Sequence, residues 1–241
     1  MKLHVTYPQG FLSSYIIREA IARGDQLVKP EDAESIILSG WRYSDPAQSL
    51  IDALELLTRV SRDAFIITVG SHAELWERPP LRWKGYAAGK RLLQAATKSA
   101  WPEGRTLHCR LTQLVGPGMT RGKLVLEAAA VVAGKAEYVQ LNGSGNAWIA
   151  PTNVEFISKL LRGIAAASRD DPPPVSGLNL WSGGPMSISN WLDCWGVPWS
   201  RGAMLDEPDI ALGSIPDGLG DVDRTLLARV LPQHPETSEI V

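Results

Sequence analysis

Cysteine is nearly absent: Cys109 and Cys194 are the only two in 241 residues. Two such distant thiols make neither a disulfide framework nor a structural zinc site, so a reducing, cytoplasmic setting is the expectation. Basic runs are missing too, and 24 Lys and Arg against 26 Asp and Glu leave a formal net charge of −2. That balance gives no electrostatic footprint for nucleic acid or an anionic membrane. No apolar stretch approaches bilayer-spanning length, and Met1-Lys2-Leu3-His4-Val5 runs into a strand pattern without a charged-then-apolar leader. What is present is an apolar fraction of 44%, ample for the core of one medium-sized domain.

Strand-like and helix-like stretches alternate, which favours a parallel sheet with crossover helices. Lys2 to Thr6 reads as a strand, and Leu12, Tyr15, Ile16 and Ala20 give Phe11 to Arg23 a helical spacing that Gly24 ends. A short apolar pair, Leu27-Val28, precedes a buried strand at Ser35 to Ser39. Residues 46–60 form an amphipathic helix capped by Ser44 or Asp45, with Pro46 in its first turn. Phe65 to Val69 is a strand ending in Gly70-Ser71, residues 85–99 are helical, and the strand from Leu107 to Val115 stops at Gly116-Pro117-Gly118. Further helices are expected over 121–133, 153–167 and 187–195, and short strands at Tyr138 to Leu141 and Leu178 to Trp181.

Tyr86 and Lys90 are four residues apart, so a helix sets them on one face, a turn from each other. A free tyrosine titrates at about pH 10, too high for proton transfer at neutral pH, and a neighbouring ammonium favours the phenolate. Ser71 sits at the end of the preceding strand, placed to hold a substrate oxygen beside the phenol. The same spacing also suits an ordinary solvated helix face. His108 and Cys109 are strand neighbours that point to opposite faces, so they cannot chelate one metal, and no metal site is expected. His72 beside Ser71 lacks the Gly-x-Ser-x-Gly elbow of a serine nucleophile. Trp41, Trp76 and Trp83 fall on loops beyond strand ends, where open α/β sheets bind ligands; pocket wall and core packing both fit them.

The order of these pieces resembles the extended short-chain dehydrogenase/reductase family, of the NAD-dependent epimerase/dehydratase type, over most of residues 1–195. Lys2-Leu3-His4-Val5-Thr6 with Gly10-Phe11-Leu12 looks like its opening strand and glycine turn. Phe65 to Ser71 is similar to the strand that ends at its catalytic serine or threonine, Tyr86 and Lys90 fall where its catalytic pair belongs, and Arg110 to Gly118 looks like its strand and turn beside the substrate pocket. The resemblance implies a single doubly wound parallel sheet of Rossmann type, with a core of about 1–116 plus 137–167, a small α/β substrate-side region of about 117–136 and 168–231, and a frayed tail at 232–241. It implies Tyr86 as general acid/base, Lys90 as the group that lowers its pKa and Ser71 as the orienting hydroxyl. Thr6, Gly10, Phe11 and Leu12 would hold NAD or NADP, and Trp41, Trp76, Val115 and Gly116 would line the pocket of a small-molecule substrate. It also implies a homodimer formed through the helices at 46–60 and 85–99.

The departures concern the cofactor. The family's first turn reads Thr-Gly-x-x-Gly-x-x-Gly; here Tyr7 replaces its first glycine and Ser13 its last, and only Gly10 survives. Tyr7 adds bulk where pyrophosphate approaches the backbone, and Pro8 removes an N–H and should push Tyr7 toward extended conformations. The span from Thr6 to Ser39 is roughly thirty residues short of the family's, deleting most of the second and third strands and the residue that grips the adenosine ribose. Strand one is thereby expected at the sheet edge. Three functions stay open: NAD(P)-linked oxidoreduction or epimerisation with a weakened cofactor site, redox-independent isomerisation, dehydration or cyclisation without a cofactor, and a catalytically silent partner subunit.

Overall fold

The computed structural model describes residues 1–42, 44–75, 81–120, 123–141, 143, 145–146, 148–173, 176–180 and 186–201. In chain order, β1 (Lys2–Val5), α1 (Phe11–Ala22), β2 (Gln26–Leu27), β3 (Ser35–Leu38), α2 (Pro46–Leu57), β4 (Phe65–Ser71), α3 (Leu81–Ala100) and β5 (Thr106–Leu111) build the first half. Then come β6 (Leu114–Val115), α4 (Lys123–Val132), β7 (Val139–Leu141), β8 (Trp148–Ile149), β9 (Thr152–Asn153), α5 (Val154–Ser168), β10 (Gly177–Leu180), β11 (Met186–Ser187), α6 (Ile188–Cys194) and β12 (Trp199–Arg201).

The main sheet has six strands in the order β10-β5-β4-β3-β1-β2, all parallel. Every residue of β3, and β4 as far as Gly70, is buried, as expected of strands covered on both faces. Helices α1 and α5 pack on one face, where Leu12, Ile16, Leu161 and Ile164 meet Leu3, Ile37, Ile67 and Leu107. On the other face Leu57 and Leu93 meet Ile36, Leu38 and Ile66. Capping follows sequence: the Asp45 carboxylate accepts from Gln48 N at 3.0 Å ahead of Pro46, and the Asn153 side chain accepts from Glu155 N at 2.7 Å. Beyond α1, Gly24 takes φ 74°, the left-handed turn that glycine reaches without steric cost.

Three expectations need correction. β1 is not the sheet edge, because Gln26 and Leu27 pair with Lys2 and Leu3; two residues of the shortened segment suffice to cover it. Residues 177–180, expected on the substrate side, join the main sheet against β5. Conversely 139–141 leaves the core for a separate parallel pair with β12, where Val139 and Leu141 share a small cluster with Ala128 of α4 and Leu192 of α6. Among the described residues, no helix is long and apolar enough to cross a membrane.

Candidate active site

The chain leaves β1 into a helix on one face and β3 into a helix on the other, so their C-terminal ends diverge into a crevice, the usual ligand position in an open α/β sheet. Here that crevice is laced by side chains. Thr6 Oγ1 accepts from Ser39 N at 3.0 Å and from Gly40 N at 3.3 Å. Ser13, buried at 1% exposure, meets Ser39 Oγ at 2.8 Å. Gly10 caps α1 in ordinary extended geometry, with no side-chain cap to satisfy the first-turn amides. Of its neighbours, Phe11 stacks edge-on against Tyr15, centroids 5.6 Å apart, while Leu12 faces the core.

Tyr7 lies across this crevice. Its φ of 50° overturns the extended conformation expected ahead of Pro8, at a cost of about 1–2 kcal/mol for a side-chain-bearing residue. Two hydrogen bonds offset it: Tyr7 O accepts from Gly10 N at 2.7 Å, and the phenol donates to Asp52 Oδ2 at 2.8 Å. The ring packs so closely on Gly40 that a Cβ there would stand 1.9 Å from Tyr7 Cδ2. Burial, then the bond to Asp52, holds the Tyr7 phenol above its ordinary pKa, so it remains a donor.

Ser71, Tyr86 and Lys90 gather at the C-terminal end of β4. Lys90 is 2% exposed; its Nζ donates to Val69 O at 2.6 Å and lies 5.9 Å from the Tyr86 ring centroid. Burial pulls its pKa down to about 7, against the opposing pull of the Glu74 carboxylate. Tyr86 packs with Ala73 and Ala87. Over both sits Trp41, its ring 4.5 Å from Lys90 Nζ and edge-on to Tyr86 at 6.3 Å and 82°. Gly89 makes room for that indole: a Cβ there would meet Trp41 Cζ2 at 2.7 Å.

Beneath Ser71 lies a polar relay that the sequence did not announce. Glu74, 4% exposed, accepts from Ser71 N at 2.5 Å and pairs with His108 Nε2 at 2.8 Å. His108 Nδ1 lies 2.7 Å from Thr68 Oγ1, and Arg110 Nε stands 3.6 Å from Glu74. Burial raises the Glu74 carboxyl, but His108, the Ser71 amide and Arg110 outweigh it and leave the group below its ordinary pKa. Burial drives His108 below the ordinary imidazole value despite Glu74. Gly70 is obligatory, since a Cβ would stand 2.3 Å from His108 Nε2. The readable signal was register: Thr68 and His108 are partners across β4 and β5, and Glu74 follows Ser71 by one short helical turn. Ser71 Oγ itself accepts from Ala73 N at 3.2 Å.

Val115 and Gly116 follow β5, and a Cβ at Gly116 would stand 3.8 Å from Phe11 Cζ at the start of α1. Val115 pairs with Asn153, and Gly116 abuts Val154, whose Cγ1 a Cβ would approach to 2.5 Å. Trp76 lies outside the described residues. His108 and Cys109 do diverge, the first to Glu74 and the second into the core.

No protein-family model matches the sequence, and no curated protein matches it. Solved structures do. TunA, an NAD-dependent NDP-hexosamine 5,6-dehydratase involved in tunicamycin biosynthesis, aligns over 95% of this chain and 97% of its own at 16% identity and TM-score 0.62. RMD from Pseudomonas aeruginosa, complexed with NADPH, aligns over 96% and 98% at 14% identity and TM-score 0.63. UDP-glucose 4-epimerase from Thermotoga maritima, solved with UDP-glucose, aligns over 88% of each chain at 13% identity and TM-score 0.64. The chain shares with these structures a Rossmann-type α/β fold built on a parallel sheet. In this fold the dinucleotide crosses the crevice between β1 and β3. The residues present do not fit that group: Tyr7 fills the crevice against Gly40, and Trp41 covers the ammonium of Lys90.

Proposed function

We propose that this chain is an acid–base enzyme on the epimerase/dehydratase scaffold, acting at a hydroxyl or carbonyl carbon of a small molecule without a redox step. Tyr86 moves the proton, Lys90 sets the proton affinity of the phenol, and Ser71 orients the substrate oxygen. The observation that carries this reading is the gathering of Tyr86 and Lys90 at the end of β4, with Nζ 5.9 Å from the phenol ring, at the ligand-binding end of the sheet. The redox-linked alternative loses support to the poor fit of a dinucleotide. Structures of the same fold carry nucleotide-sugar names, so UDP- and dTDP-linked sugars and their 4-keto forms are the substrates to try first.

The test incubates that panel with the protein and reads isomerised, dehydrated or cyclised products by NMR. Tyr86→Phe deletes one hydroxyl and is expected to abolish turnover with the fold intact, while Lys90→Met slows turnover most below about pH 7, where Lys90 is charged. Unchanged turnover by Tyr86→Phe would contradict the assignment. A second reading, a catalytically silent partner subunit, draws on Lys90 being engaged with Val69 O and Trp41; it expects no turnover with any of these substrates.

A further inference from the structure

We infer that Tyr7 and Trp41 are internal occupants of the dinucleotide crevice, a pair of side chains that replaces the nicotinamide cofactor as the filling of this fold. The inference goes beyond the acid–base reading and stands without it, because it rests on the contacts of two rings and not on any reaction.

Each aromatic ring is seated on a glycine. Tyr7 lies on Gly40, at the end of β3, and Trp41 lies on Gly89, one residue before Lys90; a Cβ at either glycine would come within 1.9 Å and 2.7 Å of the rings. Both are therefore closed contacts built from the two sides, ring and gap together. Polar anchors then fix the rings. The Tyr7 phenol is bound by Asp52 at 2.8 Å, and Asp52 is itself held by Gln48 Nε2 at 2.7 Å and lies 3.6 Å from Arg42 Nη2. Arg42 also approaches the Tyr7 ring face, 5.6 Å from its centroid. Trp41 offers its π face to the Lys90 ammonium at 4.5 Å and its edge relation to Tyr86, a cation–π contact strengthened by burial.

The consequence for ligands is geometric. A dinucleotide entering between β1 and β3 must displace the Tyr7 ring from Gly40, break the phenol–Asp52 bond and lift the indole from Lys90 before any part of it could reach that ammonium. Ser13 and Ser39, joined at 2.8 Å, close the floor beneath. The Lys90 ammonium is already engaged within the chain, by Val69 O and an indole face.

Isothermal titration with NADH and with NADPH decides it, using the full chain and the folded double variant Tyr7→Gly/Trp41→Ala. The expected result is no saturable heat for the native chain up to millimolar dinucleotide, and affinity at least about tenfold higher for the double variant. Micromolar binding by the native chain would overturn the inference, as would a folded double variant that gains nothing. Should that variant fail to fold, crystals of the native chain soaked in millimolar NADH supply the answer. Tyr7 still bonded to Asp52, and Trp41 still over Lys90, is the expected state; a dinucleotide between β1 and β3 would refute it. Turnover by Tyr86→Phe tests the acid–base role of the phenol alone, whereas dinucleotide binding by the native chain would overturn this inference and return the redox-linked reading, so the two failures are distinguishable.

Discussion

Lys90 carries the largest electrostatic burden of any single residue in the site. Its ammonium is buried, bound by Val69 O and faced by an indole, and burial brings its pKa to about 7 from 10.5. Below pH 7 both folded and unfolded chains hold this proton; between 7 and 10.5 the unfolded chain holds it and the folded chain does not, so stability rises with pH across that window. Lys90→Met removes the buried cation. Urea unfolding is expected to find the variant more stable than the native chain by about 2 kcal/mol at pH 6, with the advantage shrinking as pH climbs toward 9; a constant difference across that range would contradict the burial assigned to Lys90. At the relay, Glu74→Ala strips partners from His108 and the Ser71 amide together and should cost about 3 kcal/mol in the same assay. His108 is held neutral by burial, so below about pH 6.5 the unfolded chain takes up the proton first and stability falls as pH falls. The spacing of Tyr86 and Lys90 was plain in the sequence. Glu74 and His108 were not, because their meeting depends on strand register and on the glycine at 70, which no local pattern reveals.

Among the elements, the helices were legible from apolar spacing and caps. α3 begins at Leu81 and not at residue 85, since its first turn carries no apolar periodicity to mark it. Of the two-residue β2 only Leu27 was marked, as half of the apolar pair Leu27-Val28, because strands that short have no period. Most informative are the turn after β1 and the loop after β3, where sequence showed the loss of glycines but not their compensation at Gly40 and Gly89. Adding a methyl at either place collides with a ring. Gly40→Ala and Gly89→Ala are each expected to lower stability by about 1–3 kcal/mol. Gly89→Ala combined with Trp41→Ala should recover most of its own loss; no recovery in that pair would mean that the indole is not what fills the space.

At the scale of the whole molecule, α2 and α3 pack side by side on one face of the sheet and leave Ile51, Leu54 and Leu92 exposed at 46%, 37% and 57%. On these two helices Leu57 and Leu93 are buried, while Leu54 and Leu92 remain outside. We propose that a second copy covers them in a homodimer. Sedimentation should give a dimer at micromolar concentration, and Leu54→Glu with Leu92→Glu a folded monomer; a native monomer would contradict the proposal. That Lys90 faces the chain itself and not a cofactor is tested most directly by a ¹⁵N NMR titration of the lysine Nζ signals, with Lys90→Met to assign the resonance. Lys90 is expected to titrate at about 7, with a signal that does not move when NADH is added. Titration at about pH 10, as for an exposed lysine, or a shift of the resonance with micromolar NADH, would contradict it.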